Sequence, residues 1–175
     1  VMHDLAIFYH DAGRRDEALK MQEEVLRLYR KLLGPEHPKT LGAMNNLATS
    51  YYYDAGRDDE ALKMREELLV LRRKVNGPEH ADTLKAMHGV ALSYYDVGRR
   101  DEAIRLQEEV LEFDRKVNGP EHPDTLKAMH NLAVYYHGTG RRDEAIRLQE
   151  DVLELGRKVN GPEHPETLTA MHSMA

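Results

Sequence analysis

At 175 residues, with a formal net charge of −6 and with 32% charged and 41% hydrophobic side chains, the chain has room for one domain or a short repeat array. No run approaches the roughly 18–20 apolar residues of a membrane helix, no basic segment leads into an apolar core as in a secretion signal, and Lys and Arg alternate with Asp and Glu, leaving no basic stripe for nucleic acid. The lack of cysteine removes disulfides, thiolate metal sites and a Cys nucleophile, and it points to a reducing, cytoplasmic setting.

Taken from the N-terminus, the pattern repeats itself. Met2, Met44, Met87, Met129 and Met171 share one position, and Gly13, Gly56, Gly98 and Gly140 share another. The blocks 77–118 and 119–160 agree at 31 of 42 positions. Each block predicts two helices, A then B. Leu126, Met129, Leu132, Ala133 and Tyr136 form the apolar stripe of one A helix. Ala103, Leu106, Val110, Phe113 and Val117, with Ile104 and Leu111 beside them, form that of a B helix. No useful length alternates with period two, so strands are not expected. The reading is all-α, nine helices A1-B1-A2-B2-A3-B3-A4-B4-A5, in repeats 1–37, 38–80, 81–122, 123–164 and a partial 165–175. One interval is 43 because "SYYYDAG" carries an extra Tyr, which predicts a π-bulge or a longer turn at 51–54.

Two kinds of joint alternate along the chain. "GRRDEA" closes helix A with Gly and opens helix B with Asp-Glu, making a tight helical hairpin. "NGPEHPDTL" closes helix B with an αL-tolerant Asn-Gly, forbids its continuation with Pro, and starts the next helix with Pro at its first position. His37, His80, His122 and His164 then fall at helix N-caps, where an imidazole nitrogen accepts a backbone N–H. A metal-ligand role is the alternative for these histidines. On the B helices, Arg105–Glu109, Glu112–Lys116, Arg147–Asp151 and Glu154–Lys158 are i, i+4 pairs worth roughly 0.2–0.5 kcal/mol each, and that solvated face is assigned no partner. The methionines read as core filler. There is no G-x-x-x-x-G-K-[ST], H-E-x-x-H or G-x-S-x-G, and the acids and histidines repeat with the scaffold instead of converging, so no catalytic site is expected. Starting at Val1 and stopping inside a motif at "MHSMA", the chain reads as a piece of a longer protein.

"NLAVYYHGTGRRDEAIRLQEDVLEL" resembles a tetratricopeptide repeat: Leu132, Ala133, Tyr136, Gly140, Ala145 and Val152 stand at signature positions, with Met129 where Trp is frequent. The length near 42, with "KVNGPEHPDTL", is similar to kinesin light chain repeats, and closer still to arrays that follow NTPase domains in fungal and bacterial immune-receptor-like signalling proteins. Departures are Arg100, Arg142 or Asp58 in place of an aromatic after the turn, and Gln22, Arg65, Gln107 and Gln149 at motif position 24.

The resemblance implies a right-handed superhelical solenoid of antiparallel helix pairs whose A helices line a concave, protein-binding face. Position 5 is His3, Asn45, His88, His130 and His172; position 9 is Ile7, Thr49, Leu92 and Val134. Position 12 is His10, Tyr52, Tyr95 and His137, and position 13 is Asp11, Asp54, Asp96 and Gly138. An apolar centre flanked by imidazoles and phenols suits a peptide or partner helix. The alternative is that some of these tyrosines and histidines pack between neighbouring repeats. A second reading is self-association of a larger signalling protein by end-to-end stacking through uncapped ends. A third is His-based metal binding, although His130 and His137 stand about 10 Å apart along one helix, too far to share a zinc at about 2.0–2.1 Å from each nitrogen. No cofactor, membrane or nucleic-acid partner is implied.

Overall fold

The structure is a computed structural model that describes residues 13–53 and 56–160, all of them helical or in turns. Seven helices follow one another: α1 (Arg15–Leu33), α2 (Pro38–Tyr53), α3 (Asp58–Asn76), α4 (Ala81–Asp96), α5 (Arg100–Val117), α6 (Pro123–Gly138) and α7 (Arg142–Asn160). They are the expected B1 through B4. The first and last of the nine expected helices lie outside the described residues. The chain divides into two compact units, Val1–Ser93 and Tyr94–Ala175, with the boundary inside α4. Within the first, α2 packs on α1 and α3; within the second, α6 packs on α5 and α7.

The A-type helices bury the stripe that their sequences spell. Leu41, Met44, Leu47 and Ala48 of α2 are sealed, as are Met87, Val90 and Ala91 of α4 and Met129, Leu132 and Ala133 of α6. Each large aliphatic side chain so buried contributes roughly 1.5–3 kcal/mol. The B-type helices turn a different face inward. On α5 the buried residues are Ala103, Ile104, Gln107, Val110, Leu111 and Asp114, while Leu106 and Phe113 are half-buried and Val117 is 49% exposed. The expected stripe through Val117 is therefore rotated, because polar Gln107 and Asp114 occupy buried positions that apolar periodicity cannot register.

The Pro-flanked joint is built from three parts, and each recurs. Gly34, Gly77 and Gly119 sit at φ of 88°, 85° and 88°, with ψ of 165° and 166° at the first two. This region is essentially reserved for glycine. It differs from the αL geometry expected of Asn-Gly, and Asn118 itself is right-handed. A Cβ would meet nothing within 4 Å at any of the three glycines, so backbone conformation rather than space demands the residue. Next, the buried hydroxyls of Thr40, Thr83 and Thr125 donate to the carbonyls of Gly34, Gly77 and Gly119 at 2.8, 2.7 and 2.7 Å. Finally, His37, His80 and His122 accept through Nδ1 the backbone N–H two residues on, at 3.1, 3.1 and 3.2 Å. The histidines are N-caps, as their spacing predicts; His164 lies outside the described residues. The joint's acid has a role as well, since Lys74 bonds Glu36 and Lys158 bonds Glu121, tying the end of one B helix to the joint before it.

The joints differ in charge. Arg72 Nη1 bonds Asp82 Oδ2 at 2.8 Å; the same two positions one repeat later hold Asp114 and Asp124. Asp114 is buried and accepts from Asn118 Nδ2 at 3.0 Å. Burial first, and then the like charge of Asp124, push its carboxyl above the ordinary value.

The Gly-Arg turn is clamped by one arginine. The amides of Arg57, Arg99 and Arg141 donate to the carbonyls of Tyr51, Tyr94 and Tyr136 at 2.9, 2.8 and 2.9 Å. Their guanidinium carbons lie 4.0, 3.9 and 3.9 Å from the centroids of the same tyrosine rings. Each also bonds the glutamate three residues on: Glu60 at 3.1 Å, Glu102 and Glu144 at 2.7 Å. The sequence suggested i, i+4 pairs further along these helices; the structure shows short pairs at i, i+3 in their first turns. Lys158, expected to pair with Glu154, bonds Glu121. The extra residue of the second repeat lengthens the turn. Helices α2, α4 and α6 all have 16 residues, and the Arg57 amide reaches back six residues where Arg99 and Arg141 reach five. The counterpart of Asp96 and Gly138 is therefore Tyr53, not Asp54, which lies outside the described residues.

Replacing Thr125 by Val should cost about 1–3 kcal/mol by stranding the Gly119 carbonyl, more than the loss of the cap in His122→Ala, at about 0.5–2 kcal/mol. Urea unfolding of the two variants gives the order directly. A second expectation concerns alkali. Tyr51 and Tyr136 donate to Glu23 and Glu108 at 2.8 and 2.6 Å, and burial followed by that carboxylate contact pushes both phenols up to about 12. A raised phenol keeps its proton in the fold after the unfolded chain has released it, so its stabilisation is complete below about pH 10 and is lost as pH rises towards about 12. Denaturation midpoints should fall across that window, and the fall should be shallower in Tyr51→Phe and Tyr136→Phe.

Candidate functional site

The expected binding residues sit at i, i+4 and i+7 along each A-type helix, so each triad shares one helical face. His3, Ile7 and His10, with His172, lie outside the described residues. On α2, Asn45 and Thr49 are exposed, and the Thr49 hydroxyl turns back to the Asn45 carbonyl at 2.9 Å. Tyr52 is half-buried, with the Arg65 guanidinium carbon 4.5 Å from its ring centroid and Tyr53 edge-on at 4.5 Å. On α4, His88 and Leu92 are half-buried; on α6, His130 is half-buried, while Val134 and His137 are exposed.

Tyr95 is the member that the structure draws into packing. Its ring stacks on that of Tyr135 with centroids 4.6 Å apart and planes 14° from parallel. Its hydroxyl lies where a Cβ on Gly138 would stand, only 1.7 Å from that position. Arg100 reaches over the same ring and donates to the Gly138 carbonyl at 3.2 Å. Gly138 is therefore more than the next residue in the triad's register: it makes room for the phenol.

What sequence reasoning missed lies one layer below. Arg65, Gln107 and Gln149, noticed only as departures from the motif, are buried at 8%, 0% and 9% exposure. Arg65 donates to the Gly89 carbonyl at 3.1 Å and to Ser93 Oγ at 2.6 Å. Gln107 donates to the Ala128 carbonyl at 3.1 Å, and Gln149 meets the ring of His130. The signal was a polar residue recurring at one point of a helix whose neighbours at i±3 and i±4 are apolar.

A groove of about 450 Å³ opens between α5, α6 and α7, floored by Leu111, Leu132 and Leu148 and rimmed by Glu112, Arg115 and Arg147. In the first unit the matching helices are strapped together by Arg30, which takes both oxygens of Glu67 at 2.9 and 2.8 Å. Asp151 stands at the Glu67 position, one methylene shorter, and makes no such bridge to Arg115 among the described residues. Among the described residues there is no group of three or more His, Asp or Glu side chains placed to hold a metal ion, and no helix long and apolar enough to cross a membrane.

Profiles described as tetratricopeptide repeat match residues 43–116 and 85–158 in one case and 1–39 in another. No curated protein matches the chain. Among solved structures, a Podosopora anserina protein named for kinesin light chain and for nearly identical TPR-like repeats is 32% identical. The match takes in 99% of this chain and 82% of that one, with a TM-score of 0.86; a single-substitution variant of that protein gives 32%, 99%, 81% and 0.88. BtubC (BKLC) from P. vanneervenii, at 22% identity over 92% of this chain and 63% of its own with a TM-score of 0.79, shares the fold.

Gly138→Ala must expel the Tyr95 hydroxyl from its seat. The stacked pair should separate, with a drop of several degrees in the melting temperature. Tyr95→Ala in the same background should remove most of that additional penalty, a coupling that a double-mutant cycle reads.

Proposed function

The chain belongs to the tetratricopeptide repeat family, and from that premise we propose that it is a non-catalytic scaffold that captures an extended peptide or a partner helix. The partner lies along the faces of α2, α4 and α6, the concave side of a right-handed superhelical solenoid. The array comprises repeats 1–37, 38–80, 81–122 and 123–164, with a fifth beginning at 165. The observation that carries this reading is the repeated triad, Asn45-Thr49-Tyr52, His88-Leu92-Tyr95 and His130-Val134-His137. These residues stand clear of the sealed Met44, Met87 and Met129 stripe, and each is exposed or half-buried. Aliphatic centres between imidazoles, hydroxyls and amides offer contact area and orientation, which is what peptide recognition asks of a surface. The cysteine-free composition and the lack of a membrane-length helix among the described residues suit the cytoplasm.

A second reading is self-association by end-to-end stacking, which would cover Ile146 on α7, the last helix among the described residues, where it is 53% exposed. Light scattering across concentration separates the two, since a mass that doubles on concentration and reverts in Ile146→Glu belongs to stacking.

The direct test is selection of displayed dodecapeptides on the intact chain. Leu92→Asp and His130→Ala should each weaken the selected peptide about tenfold or more while the melting temperature moves by only a few degrees. Undiminished binding in both variants removes the A-helix face from the function.

A further inference from the structure

A buried amide is costly unless it is bonded, by about 1–3 kcal/mol on protein scales, so Gln149 on the inward face of α7 wants a purpose. Its Nε2 stands 3.0 Å from Nδ1 of His130 and its Oε1 stands at 3.5 Å. Taking the nearer amide atom as the donor assigns His130 Nδ1 as the acceptor, which places the proton of a neutral ring on Nε2. With Nδ1 turned to the buried amide, the Nε2 edge turns away from α7. That N–H has no hydrogen-bond partner among the described residues. The first unit does the equivalent thing with other atoms. Arg65, at the same motif position, is fixed by the Gly89 carbonyl and the Ser93 hydroxyl and backs the ring of Tyr52. In both units a buried polar residue of helix B sets the attitude of a residue in the A-helix triad.

We propose that Gln149 is a positioning residue that holds His130 as an Nε2–H donor, so that α6 recognises a backbone carbonyl of an extended peptide at that point. The proposal rests on the reading of the A-helix face as the binding surface and adds the atom that does the reading. A neutral donor matches a neutral carbonyl; it favours peptides laid out with an unpaired acceptor, as an extended strand offers at alternate residues.

Long-range proton–nitrogen NMR spectra of the whole free chain at about pH 8 report the tautomer without any ligand. Protonated Nε2 with bare Nδ1 is expected, and a proton on Nδ1 overturns the proposal. In Gln149→Leu the two tautomers should mix, and affinity for the dodecapeptide selected on the wild-type chain should fall about tenfold. His130→Gln, whose amide reaches the Nε2 position, should bind within about threefold of wild type. His130→Asn, whose amide stops at the Nδ1 position, should lose about tenfold. Circular dichroism melts identify any variant that is simply unfolded. Wild-type affinity in Gln149→Leu, or equal affinity in the Asn and Gln variants, overturns the donor role. If Leu92→Asp still abolishes binding in that case, the face stands and the inference alone has failed. If Leu92→Asp is silent too, both have failed.

Discussion

The hydrogen bond from a buried threonine hydroxyl back to a glycine carbonyl is the constraint on which the rest of this fold hangs. Gly34, Gly77 and Gly119 take a backbone geometry closed to other residues, and in doing so they aim a carbonyl at Thr40, Thr83 and Thr125 on the first turn of the next helix. The histidine cap then satisfies an amide that the helix start leaves open. Together these bonds decide where one helix stops, where the next begins and how far it is rotated. With those helix starts fixed, Met44, Met87 and Met129 are sealed, while Asn45 is exposed and His88 and His130 are half-buried. A pattern of residues that could pass for a metal or catalytic signature is thus spent on geometry.

That distinction explains the pattern of what could be read in advance. The A helices were legible because an aliphatic stripe, Leu126, Met129, Leu132 and Ala133, recurs at helical spacing and is buried. The histidine caps were legible because Pro123, directly after His122, fixes the start of α6. The B helices were less so. Gln107 and Asp114 lie on the inward face of α5, and a reader of hydrophobicity is led round the helix to Val117, which faces water. Asp54 was assigned a position that belongs to Tyr53, because nothing in a run of three tyrosines says which is the extra one. The triads proposed for binding came from likeness to a known repeat, not from their own chemistry. The amide behind His130 gave only the faint signal of a polar letter in an apolar column.

The two turns divide the physical labour. At the Gly-Arg turn, one arginine meets a carbonyl, a ring and a carboxylate at once, and phenols behind it are held by Glu23 and Glu108. These are surface bonds of modest individual worth, but they repeat at one place in the hairpin, in the turns at Arg57, Arg99 and Arg141. At the Pro-flanked joint the chemistry varies instead: Arg72 faces Asp82 in one, and Asp114 shares the next with Asp124. Burial and the like charge of Asp124 raise the Asp114 carboxyl, so that joint gains stability as pH falls and Asp114 takes up a proton.

Near-identical neighbours pose a problem of order, since a hairpin could slip one period and stack on the wrong copy. Arg65 answers it locally. Its guanidinium is held on the helix opposite by the Gly89 carbonyl at 3.1 Å and by Ser93 Oγ at 2.6 Å. The same two places on α6 are Asn131 and Tyr135, so the hydroxyl that Arg65 meets has no counterpart there. A charged side chain and the hydroxyl placed to receive it therefore act as an address, so that the order of copies is marked by hydrogen bonding as well as by the tether between them.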